Sequence, residues 1–241
     1  VGWLQSWFNT LGGLAEFAFG ALVLLFSLGP RDLGEDTDAF IEARDRGEQE
    51  RASALAQQIC LSETPEQEPR RSFAVARAVV VLANRRLIGP ILWFVVFGAV
   101  GAAAYRAVQM LAERLQTAKC PAEMQRYTDE LRHIVDWAPA RLTAAGYAFA
   151  GNFDAVAHAW RTFDYEPGEG PLTEAEHLLA TTGLAALDTF PHDDEELEDQ
   201  QLAGTGAGLP PVVEDALALV WRSLAMWVAV IAGGSLVAAL A

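Results

Sequence analysis

The sequence predicts an all-α integral membrane protein with about four hydrophobic segments and helical regions outside the membrane. A helix that crosses a bilayer needs about 20 apolar residues. Three apolar blocks approach this length, at residues 7–29, 87–111 and 223–241. Any one block could be the core helix of a soluble protein, but three in a chain of 241 residues favour a membrane protein.

Residues 1–29 are predicted to form the first span, and residues 30–86 a polar helical region on the cytoplasmic side. The polar region contains nine arginines and eleven acidic residues. Cytoplasmic loops carry an excess of positive charge next to the spans. The arginines that adjoin the first two spans, and so place this region inside the cell, are Arg31, Arg77, Arg85 and Arg86.

Capping residues and the helical spacing of apolar residues divide this polar region into several predicted helices. Asp36 or Thr37 is expected to cap a first helix, and residues 73–84 are expected to form the last helical run. The second span is predicted at 87–111 and is followed by a short polar segment, 112–133, with four basic residues.

Residues 134–151 are predicted to form a third span or a re-entrant interfacial helix. Asp136 is a suitable N-cap, and Pro139 suits a first helical turn, where no N–H is needed. Trp137 fits the interfacial level, and Arg141 would point towards Asp136 or lipid headgroups. Two interpretations stay open: a capped interfacial helix with a local ion pair, or an anion-binding corner formed by the helix N-terminus and Arg141.

An acidic helical region is predicted at 152–216, and a C-terminal span at 217–241. The acidic region has fifteen acidic residues and a single basic one. Asn152 is expected to cap a short helix, and Thr173 and Glu176 to form a capping box. Which side of the membrane this region occupies depends on whether the preceding segment crosses the bilayer.

The composition argues against several functional classes. The net charge of −15 disfavours nucleic-acid binding. Cys60 and Cys120 do not have C-x-x-C spacing, and the four histidines do not have zinc-ligand spacing. The single lysine, Lys119, is not in a phosphate-binding loop. We therefore predict no catalytic residue, no metal site and no cofactor, and favour a non-enzymatic protein.

Three stretches resemble a known family of bacterial inner-membrane proteins. "DWAPARLTAAGYAFAGNFDA" is similar to the D-W-x-P-x-R-L segment of the AmpE-type proteins, "ANRRLIGPILWFVVFGAVGAAAYR" resembles their preceding span, and "LGPRDLGEDTDAF" their polar start. These proteins group with the CobD/CbiB enzymes of cobalamin biosynthesis. The resemblance covers residues 28–161 and implies a multi-pass helical protein of the inner (cytoplasmic) membrane.

The resemblance implies one of two activities. AmpE-type members are regulatory or signalling modulators linked to cell-wall recycling and β-lactamase induction, whereas the CobD/CbiB enzymes form an amide bond using ATP. The enzymes carry an E-S-x-x-E-N pattern before the span. Here Asn84 is retained, but Val79, Val80 and Ala83 replace the Glu, Ser and Glu. The sequence therefore favours the regulatory protein over the amide ligase, and a structural accessory subunit of a membrane complex is a third alternative.

The predicted ligand site is a corner formed by the "DWAPAR" segment and the end of the preceding helix. Its basic side chains would attract an anionic headgroup, nucleotide or cell-wall fragment. The other expected partners are the lipid bilayer and a homo-oligomer or larger membrane complex, with no nucleic acid. The predicted ligand-binding residues are Asn84, Arg85, Arg86, Asp136, Trp137, Pro139, Arg141 and Asn152.

Overall fold

The computed structural model describes residues 18–28, 33–60, 64–117, 122–165, 172–187 and 211–240. Every regular element in these ranges is helical, which confirms the predicted all-α class. Of the predicted first span, only the helical stretch 18–28 falls within them. The other helices are α1 (Leu33–Asp45), α2 (Gln49–Ile59), α3 (Arg70–Ala83), a π-helical turn (Asn84–Ile88), α4 (Gly89–Thr117), α5 (Ala122–Ala150), α6 (Phe153–Arg161), α7 (Glu174–Ala185) and α8 (Val212–Leu240).

The chain divides into two units, and each is described separately. Unit 1 comprises Val1–Pro30 and Arg85–Asp136. Unit 2 comprises Arg31–Asn84 and Trp137–Ala241.

In unit 1, α4 reverses direction at Gly98. This residue has φ 64° and ψ −154°, a backbone conformation that essentially only glycine adopts. A Cβ on Gly89 would overlap the ring of Tyr105, although these residues would lie about 24 Å apart in a straight helix. Likewise, a Cβ on Gly101 would overlap the carbonyl of Trp93. The predicted second span is therefore a helical hairpin. The backbone that packs closely against Gly101 belongs to the first arm of this hairpin, and Gly101 itself lies in the second arm.

In unit 2, α3 is the central helix and packs against α7 and α8. Val79 and Val80 are completely buried. A Cβ on Gly183 of α7 would lie 2.8 Å from Cβ of Val80, so glycine permits this close helix contact. The hydroxyl of Tyr147 donates to the carbonyl of Val80 at 2.6 Å and attaches α5 to the same helix.

Local capping signals gave mixed results. Asn152 caps α6 by accepting from the amide of Ala155, and Thr173 and Glu176 form both bonds of a capping box on α7, as predicted. The predicted cap at Asp36 or Thr37 was wrong, because α1 already begins at Leu33. Thr37 instead donates to the carbonyl of Leu33 at 2.6 Å, from inside the helix.

Among the residues that the structure describes, two helical stretches are long and apolar enough to cross a membrane, Arg70–Leu115 and Val212–Ser235. They overlap the predicted spans at 87–111 and 217–241 and suggest a membrane location. The first stretch meets the criterion by length and composition, but it contains the reversal at Gly98.

Candidate functional site

Asp136 lies in the middle of α5 and not at its start. The helix begins at Ala122, fourteen residues earlier, so the predicted N-cap role is wrong. The polar stretch before Asp136 had indicated a separate segment. That stretch contains good helix formers, among them two glutamates and two arginines, and no glycine or proline, so its polarity does not end the helix.

The carboxylate of Asp136 is the centre of a buried polar cluster within unit 1. Asp136 is only 2% exposed. Its Oδ1 accepts from the hydroxyl of Tyr105 and from Nε2 of Gln109, both at 2.7 Å. Its Oδ2 lies 3.5 Å from Nε of Arg132, which is one turn earlier in α5. The cluster attaches α5 to the second arm of the α4 hairpin, so in this structure Asp136 has a packing role.

Arg85 and Arg86 lie in the π-helical turn, at the start of the α4 hairpin in unit 1. Arg85 donates to Oε1 of Glu113 at 2.8 Å. Glu113 lies near the end of the second arm, so this ion pair joins the two ends of the hairpin. Arg86 is partly exposed.

Pro139 lies inside α5, so its predicted place in a first turn is also wrong. Proline has no N–H and cannot donate to the carbonyl four residues earlier, which belongs to Val135. The indole Nε1 of Trp93 donates to this oxygen at 3.0 Å. A side chain from the α4 hairpin therefore replaces the missing backbone bond.

In unit 2, Trp137 and Arg141 form a partly exposed pair on α5. The guanidinium carbon of Arg141 lies 4.3 Å from the ring centroid of Trp137, a cation–π arrangement. Nη2 of Arg141 lies 3.3 Å from Oε1 of Glu174, the first residue of α7. The side chains of Arg141 and Glu174 are 31% and 27% exposed, so water and solutes reach this ion pair.

Asn84 is buried in unit 2 and faces Thr143 of α5. Oγ1 of Thr143 lies 2.9 Å from Oδ1 of Asn84 and 2.8 Å from the carbonyl of Pro139. The hydroxyl has one proton and donates to one of these oxygens at a time. This contact joins the "ANRR" stretch to the "PARLT" stretch, the two parts of the sequence on which the family resemblance depends.

The eight predicted ligand-binding residues thus divide between the units. Arg85, Arg86 and Asp136 belong to unit 1, and the other five to unit 2. Asn152 is an exposed helix cap two residues beyond the end of α5. The end of α5, at Ala150, is itself nine residues past Arg141, or about 13 Å of helix. A corner that gathers all eight stays a prediction.

Sequence reasoning missed several partners, namely Trp93, Tyr105, Gln109, Arg132, Thr143 and Glu174. The spacing of Arg132 and Asp136, four apart on one helix, could have indicated their ion pair. The other partners come from distant parts of the chain, at sequence separations of 27 or more. In the part of the chain that the structure describes, no three His, Cys, Asp or Glu side chains are grouped to hold a metal ion.

Comparisons with known proteins agree with the resemblance in the sequence. The family described as "Regulatory signalling modulator protein AmpE" matches residues 3–165. A "Cobalamin biosynthesis protein CobD" from Stutzerimonas stutzeri is 27% identical over 244 residues, covering 97% of this chain and 77% of the relative. A protein of the same description from Chromobacterium violaceum is 27% identical and covers 94% of this chain and 73% of its own length. No solved structure matches the chain.

Proposed function

Because the chain belongs to the AmpE family of regulatory signalling modulator proteins, we propose that it is a non-enzymatic regulatory protein of the bacterial inner membrane. In this proposal it responds to an anionic ligand and is not an ATP-dependent amide ligase. The ligand class is a lipid headgroup, a nucleotide or a cell-wall fragment. The family match supports the regulatory part of the proposal, and the two long apolar stretches among the described residues support the membrane part.

The observation that carries the proposal is the face of α3 that precedes Asn84. In the related enzymes, a pattern of two glutamates and a serine precedes the equivalent asparagine. Here Val79 and Val80 are 0% exposed and Ala83 is 1% exposed. Val80 fits against Gly183, and its carbonyl accepts from Tyr147. This face is thus a packing surface, and it offers no carboxylate to hold the Mg²⁺ that ATP-driven amide formation would need.

The anionic ligand would bind at Arg141. Arg141 is the partly exposed arginine of the "PARLT" stretch, and its guanidinium carbon lies over the ring of Trp137. A guanidinium held in this way presents its N–H edge to phosphate or carboxylate oxygens. The ion pair with Glu174 is long, at 3.3 Å, and partly solvated, so a stronger anion can compete for the same donors.

The amide ligase is the second candidate, because two similar proteins are described as cobalamin biosynthesis proteins. At 27% identity this similarity supports common ancestry more than common activity. Its metal ligands would have to come from acidic residues elsewhere, such as Glu35 or Asp36 in the first turn of α1.

A thermal-shift panel on the detergent-purified protein tests both candidates. The probes are anionic phospholipid, a muropeptide, ATP alone, and Mg-ATP with adenosylcobyric acid. A ligand at 100 times its Kd stabilises a protein by about 2.7 kcal/mol. We expect a shift with a probe from the first three that is lost in Arg141→Gln. It should be kept in Arg161→Gln, which removes an exposed arginine elsewhere in unit 2.

The outcomes separate the candidates. A shift only with Mg-ATP and the corrinoid, together with ATP turnover, would establish the ligase and overturn the regulatory proposal. A shift with an anionic probe that survives Arg141→Gln would refute the site while leaving the regulatory function open.

A further inference from the structure

The α4 hairpin has a polar end and an apolar end within unit 1. Its two arms lie side by side, with Gly89 against Tyr105 and Trp93 against Gly101. In both pairs the two residues are equally far in sequence from residue 97, as expected for a hairpin that turns there. Arg85 and Glu113 form an ion pair at the open end, which we call the base. Gly98 reverses the chain at the closed end, which we call the apex. Residues 87–105, which form the first arm, the apex and the start of the second arm, contain no charged side chain.

The apex exposes large apolar side chains. Val95, Val96, Phe97 and Val100 are 53%, 55%, 62% and 77% exposed. Burying such side chains in hydrocarbon is favourable, at about 25 cal/mol per Å² of apolar area removed from water. The charged base and the charge-free apex match the polarity gradient from a membrane surface to its interior.

The hairpin is too short to cross a bilayer. The first arm, residues 89–97, has nine residues and rises by about 13.5 Å at 1.5 Å per residue. The hydrocarbon core of a bilayer is about 30 Å thick. An arm of this length, entered from one surface, ends near the bilayer centre.

We propose that the α4 hairpin is a re-entrant membrane element. Its apex lies among the lipid acyl chains, and both ends of its base stay on the same side of the membrane. The predicted second span does not cross, and the polar residues before and after it, at 85–86 and 113–114, face the same compartment. This topology does not depend on the identity of the regulatory ligand.

Single cysteines test the topology in the full-length protein. In a Cys60→Ser, Cys120→Ser background, Arg86→Cys and Arg114→Cys report the two ends, and Val96→Cys reports the apex. A membrane-impermeant maleimide is applied to intact and to lysed spheroplasts. We expect Arg86→Cys and Arg114→Cys to react in the same preparations and Val96→Cys to react in neither. If Arg86→Cys does not fold, Leu87→Cys reports the same end.

A depth measurement gives an independent readout. A bimane fluorophore on Val96→Cys should be quenched strongly by phospholipids brominated near the acyl-chain ends, and one on Arg114→Cys only weakly. Labelling of the two ends from opposite sides would establish a crossing helix and overturn the proposal. Ready reaction of Val96→Cys with the impermeant reagent, or absence of bromolipid quenching there, would place the apex outside the hydrocarbon and overturn it as well.

Discussion

The indole N–H of Trp93 donates to the carbonyl of Val135 at 3.0 Å, and this is the carbonyl that Pro139 leaves without its helical partner. A proline inside a helix removes one backbone bond, which costs about 3 kcal/mol or more unless the structure compensates. Here the compensation comes from a residue 42 positions earlier in the chain. Pro139 in "DWAPAR" and Trp93 in "GPILWF" thus act on the same carbonyl.

Trp93→Phe should destabilise the protein by about 1–3 kcal/mol, because it leaves the carbonyl of Val135 without a donor. The free energy of unfolding in detergent measures the effect. Trp227→Phe is the matched control, since Nε1 of Trp227 has no hydrogen-bond partner among the described residues. A cost for Trp93→Phe that does not exceed the cost for this control would contradict a stabilising role for the bond.

Pro139→Ala sharpens the test. Alanine restores an N–H that can bond to Val135, so Trp93→Phe should cost less in the Pro139→Ala background than in the wild type. We expect a coupling of about 1 kcal/mol in this double-mutant cycle. Additive effects would mean that Trp93 and Pro139 act on stability separately.

Local signals in the sequence were sufficient for part of the fold. The caps at Asn152 and Thr173 could be predicted because a capping side chain bonds within three residues of its own position. The all-α class could be predicted because long apolar blocks and helix formers occupy most of the chain. Both inferences depend on interactions between near neighbours.

The candidate site depends on distant partners and was predicted less well. Asp136 and Pro139 have the residue types of a helix start, and nothing nearby in the sequence reveals that Tyr105, Gln109 and Trp93 supply donors in the middle of a helix. The reversal at Gly98 was missed because hydropathy is the same for a straight span and for a hairpin. A glycine inside an apolar block is compatible with both.

The buried carboxylate of Asp136 should be important for stability. Asp136→Ala would leave Arg132, which is 3% exposed, without its carboxylate in a buried site. Breaking such a pair typically costs about 3–5 kcal/mol. Tyr105→Phe removes one donor and should cost about 1–2 kcal/mol. Asp129→Ala, at an exposed position of the same helix, should change the unfolding free energy by less than about 0.5 kcal/mol.

Denaturant unfolding in detergent, followed by circular dichroism, ranks these three variants. The expected order of destabilisation is Asp136→Ala, then Tyr105→Phe, then Asp129→Ala. If Asp136→Ala unfolds no more easily than Asp129→Ala, the cluster around Asp136 does not attach α5 to α4 as described.

Glu174 should compete with an anionic ligand for Arg141. In Glu174→Gln the guanidinium loses its carboxylate partner, so binding to vesicles that contain anionic phospholipid should become tighter. The ion pair is partly exposed and is worth only about 0–1 kcal/mol, so the fold should be retained. The difference in vesicle affinity should shrink at high salt, where surface charges are screened.

Asp154→Asn controls for net charge, because it removes one exposed negative charge from the same unit. Equal gains in affinity for Glu174→Gln and Asp154→Asn would indicate a general charge effect. A gain specific to Glu174→Gln that disappears when Arg141→Gln is added would place the anion at Arg141.

Cys60 should react slowly with alkylating reagents at neutral pH. Burial disfavours the charged thiolate and raises the pKa of the Cys60 thiol above its ordinary value, and a hydrogen bond with Thr64 offsets this only in part. The thiolate is the reactive species, so the pH profile of iodoacetamide alkylation in a Cys120→Ser variant should be displaced to higher pH than in the SDS-unfolded protein.

Because the folded-state pKa is the higher one, this thiol stabilises the fold below its unfolded-state pKa, and the contribution is lost as the pH rises through the folded-state value. Identical profiles for folded and unfolded protein would mean that the partly buried position of Cys60 at the end of α2 does not shield its thiol from water.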